Sequence, residues 1–213
     1  MNFVKVKASK KSIDMRKPLY GVGVNDSWYV ISKKSEGKLN LCPIYRTWTN
    51  MLMRCYRVEY AEKHPTYEGC FVCDDWLLFS NFYEWAESRF LTGHDLDKDL
   101  KYPYNKEYSP EKCLFVSKQV NYLILGKRRN SKYKQGVSWC DRDKRFTAHI
   151  SIDGKGKHIG NYKTEDEASE NYIRVKVKRI LEIANKQTDN DAKLALICHA
   201  HGLARHNESK KKD

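Results

Sequence analysis

QGVSWCDRDKRFTAHISIDGKGKHIGNYKTEDEASENY, residues Gln135 to Tyr172, decides the fold of the second half of this chain. Within it Phe146, Ala148, Ile150 and Ile152 alternate with Arg145, Thr147, His149 and Ser151. A period of two is the side-chain period of a β-strand, so one face is apolar and the other polar. Gly136-Val137-Ser138-Trp139 precedes this strand, and a Gly154-Lys155-Gly156 turn leads from it into Lys157 to Tyr162. The spacing predicts three consecutive antiparallel strands. Thr164 with Glu167 three positions on is a capping box, which starts a helix. Ala168, Tyr172, Val175, Ile180 and Ile183, with the stem of Arg179, form its apolar stripe and match the apolar face of the sheet.

Sealing that face under the helix leaves Arg145, Thr147, His149, Ser151 and His158 wet, with lysines such as Lys157 beside them. The whole chain suits such a polar face to a polyanion. Its 213 residues hold 40 Lys and Arg against 27 Asp and Glu, a formal charge of +13. Counterion release and long-range attraction act on DNA, RNA or an anionic membrane surface alike, so charge alone does not choose among them. The polar face fits a duplex groove, and it favours DNA only together with the family resemblance of this stretch. A major groove about 12 Å wide admits two or three strands whose side chains reach base edges while flanking lysines hold phosphates. The A-form RNA groove is too narrow for this, which makes double-stranded DNA the expected partner.

The same stretch resembles the plant ethylene-response-factor (APETALA-type) DNA-binding domain, which also occurs in bacteriophage homing nucleases, over about Tyr133 to Ala184. The resemblance implies major-groove reading by alternating strand residues, here Ser138, Arg145, His149, Ser151 and His158. Several positions that are arginine or tryptophan in plant members are Ser138, His149 and His158, so a target sequence does not carry over. An ordinary solvated face on a small α+β domain is the competing reading.

In the first half, Ile44, Trp48, Leu52 and Cys55 recur at helical spacing after Pro43. A second helix is expected from Ser80 to Phe90, with Ser80 as cap and Phe82, Trp85, Ala86 and Phe90 inward. Tyr20 to Tyr29 reads as a strand or extended segment leading to a turn over Lys33 to Lys38. Cys70 to Cys73 reads as a short strand or knuckle, and Leu96 to Tyr122 as a hairpin or loop followed by a helix. Gly126 to Lys132 is a basic hinge where Arg128 and Arg129 would hold phosphates. A last helix spans about Asp189 to Ala204, ahead of the Lys210 to Lys212 tail.

Asp97, Lys98 and Asp99, followed by Asn105, Glu111 and Asn121, gather carboxylates, amides and a lysine around one loop and helix. Two close carboxylates suit Mg²⁺ or Mn²⁺, which would polarise a scissile phosphate; Asp97, Asp99 and Asn121 are the candidate ligands. This region, with CPIYRTWTNMLMRCY (Cys42 to Tyr56), PTYEGCFVCDDW (Pro65 to Trp76) and FSNFYEW (Phe79 to Trp85), is similar to a phage group classed with HNH endonucleases. The similarity covers about Tyr20 to Leu125. It implies a metal ligand at Asp97, a closing amide at Asn121 and a general base where Lys98 stands; the middle asparagine is replaced by Lys112. A lysine is normally protonated at neutral pH and acts as base only when strongly desolvated. Three accounts follow: His94 substitutes as base, Lys98 stabilises the phosphate as an electrophile, or the module has lost cleavage and clamps DNA.

Cys55, Cys70, Cys73 and Cys113 form a candidate Zn²⁺ set, because Cys70-x-x-Cys73 has the spacing of one knuckle. The competing reading is four small apolar residues in a core. Seven cysteines in a chain of this size suggest reduced thiols and not a disulfide scaffold. No run approaches the ~18 apolar residues that span a bilayer, and Met1 to Lys17 lacks the apolar centre of a secretion signal. A cytosolic protein is therefore expected, in the host cytosol if phage-encoded.

The expected architecture is α+β. A flexible basic start (1–19) precedes a degenerate HNH-like module of the ββα-metal type (20–125). A linker (126–132), the three-stranded sheet packed on a helix (133–187) and a final helix with its basic tail (188–213) complete it.

Overall fold

Helical spacing after Pro43 and strand alternation after Arg145 both find their elements in the computed structural model, a mixed α+β chain. It describes residues 3–35, 37–124, 131–152 and 154–209, so the hinge residues Arg128 and Arg129 and the Lys210 to Lys212 tail lie outside the described residues. Two compact units divide between Phe115 and Val116. The division comes earlier than the hinge read from the sequence.

The first unit opens with a short helix, α1 (Lys10–Asp14), capped by Ser9. The amino-terminal segment expected to be flexible is tied down: Ala8 is buried, and backbone bonds join Ala8 to Trp28 and Val30 to Val6. Tyr20 to Tyr29 forms turns and isolated bridges in place of a strand. The Arg16 guanidinium stabilises this course by donating to the carbonyls of Asn25, Ser27 and Tyr29 at 2.9, 2.6 and 3.2 Å. The lysine-rich turn is a hairpin, β1 (Ser32–Ser35) with β2 (Lys38–Leu41).

Pro43 begins α2 (Pro43–Tyr56), whose Ile44, Tyr45, Trp48, Met51 and Leu52 are buried. α3 (Val58–Lys63) follows, then β3 (Phe71–Val72) and α4 (Phe79–Glu87). Ser80 lies inside α4 instead of capping it; Asp26, 54 residues earlier, accepts from the Ser80 amide and hydroxyl. A long-range cap of this kind leaves no local sequence signal. Trp48, Trp76, Phe79 and Phe82 form the fully buried centre of the core, and the Trp48 indole donates to the Trp76 carbonyl at 2.7 Å. β4 (His94–Asp97) and β5 (Glu107–Tyr108) follow, β5 parallel to β3. β4 pairs with β6 (Leu114–Ser117), and the boundary between the units falls within β6.

In the second unit, α5 (Lys118–Ile124) packs on α6 (Glu165–Ala184). The sheet has the order β7 (Val137–Cys140), β8 (Arg145–Ile152), β9 (Lys155–Tyr162), all antiparallel. Thr164 and Glu167 make both bonds of the capping box, and α6 lies against all three strands. Gly136 is required where it stands: its φ is +75°, and a Cβ there would sit 2.1 Å from the Tyr172 ring of α6.

α7 (Asn190–Ser209) covers α6, burying Ala192, Ala195, Leu196 and Ala200. α6 is thus covered on two sides, so its buried set extends beyond one stripe to Ser169 and Lys176. Lys176 is 2% exposed, donates to Gln135 Oε1 at 3.3 Å, and has its pKa pulled down to about 8 by burial. No described helix is long and apolar enough to cross a membrane.

Candidate nucleic-acid interface

Register decides which side chains share the outer face of the sheet. Ser138 lies opposite Thr147, and Thr147 opposite Asn161, so these three form a row across β7, β8 and β9. Beyond Ala148↔Gly160 the ladder jumps: His149 pairs with His158, leaving Ile159 without a partner on β8. This bulge places an extra residue in β9 and reverses the alternation on either side of it. His158 and Asn161 therefore both lie on the outer face, although three positions apart. Strict alternation from His158 puts Asn161 on the other side, which is why the sequence reading missed it; Gly160 inside a strand pattern was the available signal.

The outer face carries Arg145, His149, His158 and Asn161 exposed, and Ser138, Thr147 and Ser151 half-buried. Asn161 ties the centre together: its Oδ1 accepts from Thr147 Oγ1 at 3.2 Å and lies 3.0 Å from His158 Nε2. The opposite face holds Ala148 and Ile150, both buried, against α6. Register also relocates Lys157. It pairs with Ile150, so its Cβ lies on the helix side of the sheet and its exposed side chain is not part of the outer strip, contrary to the expectation from the sequence.

Three strands spaced about 4.8 Å apart present a polar strip about 10 Å across, the width that a B-form major groove receives. Arg145 offers the planar fork that pairs with guanine O6 and N7, and Asn161, the serines and the histidines offer donors and acceptors to other base edges.

The carboxylate loop of the first unit has a different character. Asp97 is half-buried, and its Oδ1 accepts from the amides of Asp99 at 3.0 Å and Leu100 at 2.7 Å. Burial raises its pKa, and those two amides oppose the rise. Lys98 is 5% exposed; its amine donates to Asp99 Oδ1 at 2.7 Å and to the Asn105 carbonyl at 2.6 Å. The amine therefore pins the loop from inside. His94 opens β4 with its Nδ1 buried and unpartnered, and strand alternation puts it on the opposite face from Asp97. Lys112 is ion-paired with Glu107. Asn121 is half-buried on α5 and belongs to the second unit.

Cys70 and Cys113 are buried in the first unit's core, and Cys55 and Cys73 pack against it. Burial raises all four thiol pKa values, Cys55 to about 12, which favours neutral thiols in apolar surroundings. Among the described residues no three His, Cys, Asp or Glu side chains are grouped so as to hold a metal ion. Comparison with protein-family models, with curated proteins and with solved structures found no match to this chain.

Proposed function

We propose that this chain is a sequence-preferring double-stranded DNA-binding protein that reads the major groove with the outer face of β7, β8 and β9. The observation that carries this reading is the two-sidedness of the sheet. Ala148 and Ile150 are sealed, while Arg145, His149, His158 and Asn161 stand exposed on one strip. A solvated face with no ligand needs neither the bulge nor the bonded Thr147, Asn161 and His158 group. The +13 charge supplies sequence-independent attraction to phosphates, and the strip supplies discrimination.

Selection of bound duplexes from a random pool tests it. A consensus that disappears in the Arg145→Ala, His149→Ala double variant is expected. Failure of the unaltered protein to retain any duplex at modest salt overturns the reading.

A second reading, a phage-type HNH-like homing endonuclease, draws on one observation: Asp97 ends β4, which pairs with β6, and α5 follows β6 directly in the chain. The bonds that hold Lys98 and Asp97 favour binding without cleavage. Incubation with supercoiled plasmid in Mg²⁺ or Mn²⁺ separates the two. Nicking that Asp97→Ala abolishes establishes cleavage, and intact plasmid across the selected targets leaves the binding protein.

A further inference from the structure

We propose that the loop joining β4 to β5 is a second DNA contact, in which the ring of Tyr104 stacks on a base step of the bound duplex. The inference rests on the DNA-binding reading above. Tyr104 is 95% exposed and has a φ of +65°. A tyrosine in this left-handed region is strained by about 1 kcal/mol or more relative to glycine. An almost fully exposed ring recovers none of that through packing. Among the described residues no packing contact therefore favours a tyrosine at this position, and glycine would relieve the backbone.

The loop is nevertheless held rigidly at its base. Buried Lys98 donates to the Asn105 carbonyl. The Asn105 amide donates to the carbonyls of Lys98 at 3.0 Å and Glu107 at 2.6 Å, and its Oδ1 accepts from the Glu107 amide at 3.1 Å. Pro103 restricts the backbone immediately before Tyr104, and Tyr102 is itself 52% exposed. The ring is thus presented on a preformed support, and ordering it on a partner costs little.

Chemistry identifies that partner. From Lys101 to Lys106 the tip holds two lysines and no carboxylate. The Lys106 amine is fixed beside the tip by the carbonyls of Glu68 at 2.7 Å and Thr66 at 3.4 Å. An exposed aromatic ring flanked by fixed positive charge matches a base stack flanked by phosphates.

Titration of a fluorescein-labelled mixed-sequence duplex with the full chain tests the contact, alongside Tyr104→Gly, Tyr104→Phe and Arg145→Ala. Tyr104→Gly is expected to weaken binding by up to about tenfold, the gain of one base stack less the cost of parting a base step. Tyr104→Phe should bind like the unaltered protein, and the thermal midpoint of Tyr104→Gly should not fall. If Tyr104→Gly binds as tightly as the unaltered chain while Arg145→Ala weakens it, the loop contact is wrong and the sheet reading stands. If Tyr104→Phe is as weak as Tyr104→Gly, or Tyr104→Gly loses only binding to a labelled single strand, duplex stacking is overturned. If the unaltered chain binds no duplex, both readings fall.

Discussion

His149 lies opposite His158 across β8 and β9, where an unbroken ladder from Ala148↔Gly160 would have placed Ile159. One unpaired residue therefore determines that two imidazoles and Asn161 share a face. Without the bulge, the outer strip would present Ile159 to solvent and turn His158 toward α6.

Base readers and charges off the outer strip respond differently to substitution. Arg145→Ala and Asn161→Ala are each expected to weaken binding to a selected duplex by about 1–3 kcal/mol and to relax preference at one position. Lys157→Ala removes only a positive charge from the helix side of the sheet, so it should weaken binding to all sequences slightly and alike and leave the salt slope nearly unchanged. Salt-dependent titrations on selected and scrambled duplexes measure both. Equal losses on both duplexes for Arg145→Ala would contradict base reading.

Gly136 combines a left-handed backbone with contact against the Tyr172 ring. Gly136→Ala should destabilise the second unit by about 2 kcal/mol or more, from backbone strain and overpacking together. Urea unfolding followed through Trp139 fluorescence reads the loss. A midpoint equal to that of the unaltered chain would show that the turn can open without cost.

Lys176 gives the second unit a pH signature. Its folded pKa, about 8, lies below the ordinary lysine value of 10.5 because burial disfavours the charged amine. Between these values the unfolded chain binds more protons at this site than the folded one, so stability rises with pH across that window and is flat in this respect below it. Tyr172, raised by burial to about 12, acts oppositely above pH 10, and the first unit's buried thiols, raised from an ordinary value of 9.0, act oppositely from about pH 9, so the clean interval is about pH 8 to 9. Denaturation across that interval should show a positive slope that Lys176→Met reduces. An identical slope in the variant would mean that the amine is solvated.

Lys98 is expected to behave as a structural pin. Lys98→Met removes the bonds to Asp99 and Asn105 and should cost about 1–3 kcal/mol, with faster amide exchange over residues 99–107. If the variant keeps full stability and slow exchange, the amine does not hold the loop, and a chemical role for it regains force.

Much of the second unit was legible because its signals are local. Alternation around Ala148 and Ile150, the turn after Ile152, and the pairing of Thr164 with Glu167 each act within a few residues. The α2 helix was legible for the same reason, through the spacing of Ile44, Trp48 and Leu52. The carboxylate loop was legible as composition but not as arrangement, since Asp97 bonding to its own loop's amides and Lys98 turning inward depend on the core beneath them.

By itself the sequence determined the positive charge, the three strands and their helix, and the two-faced character of β8. Tertiary structure alone decided that Asn161 joins the outer strip, that Asp26 rather than Ser80 caps α4, and that Lys176 is buried. The physical reason is range. Side-chain periodicity is fixed by backbone geometry within one element, whereas a bulge is set by the partner strand and a residue's burial by whichever helix covers it.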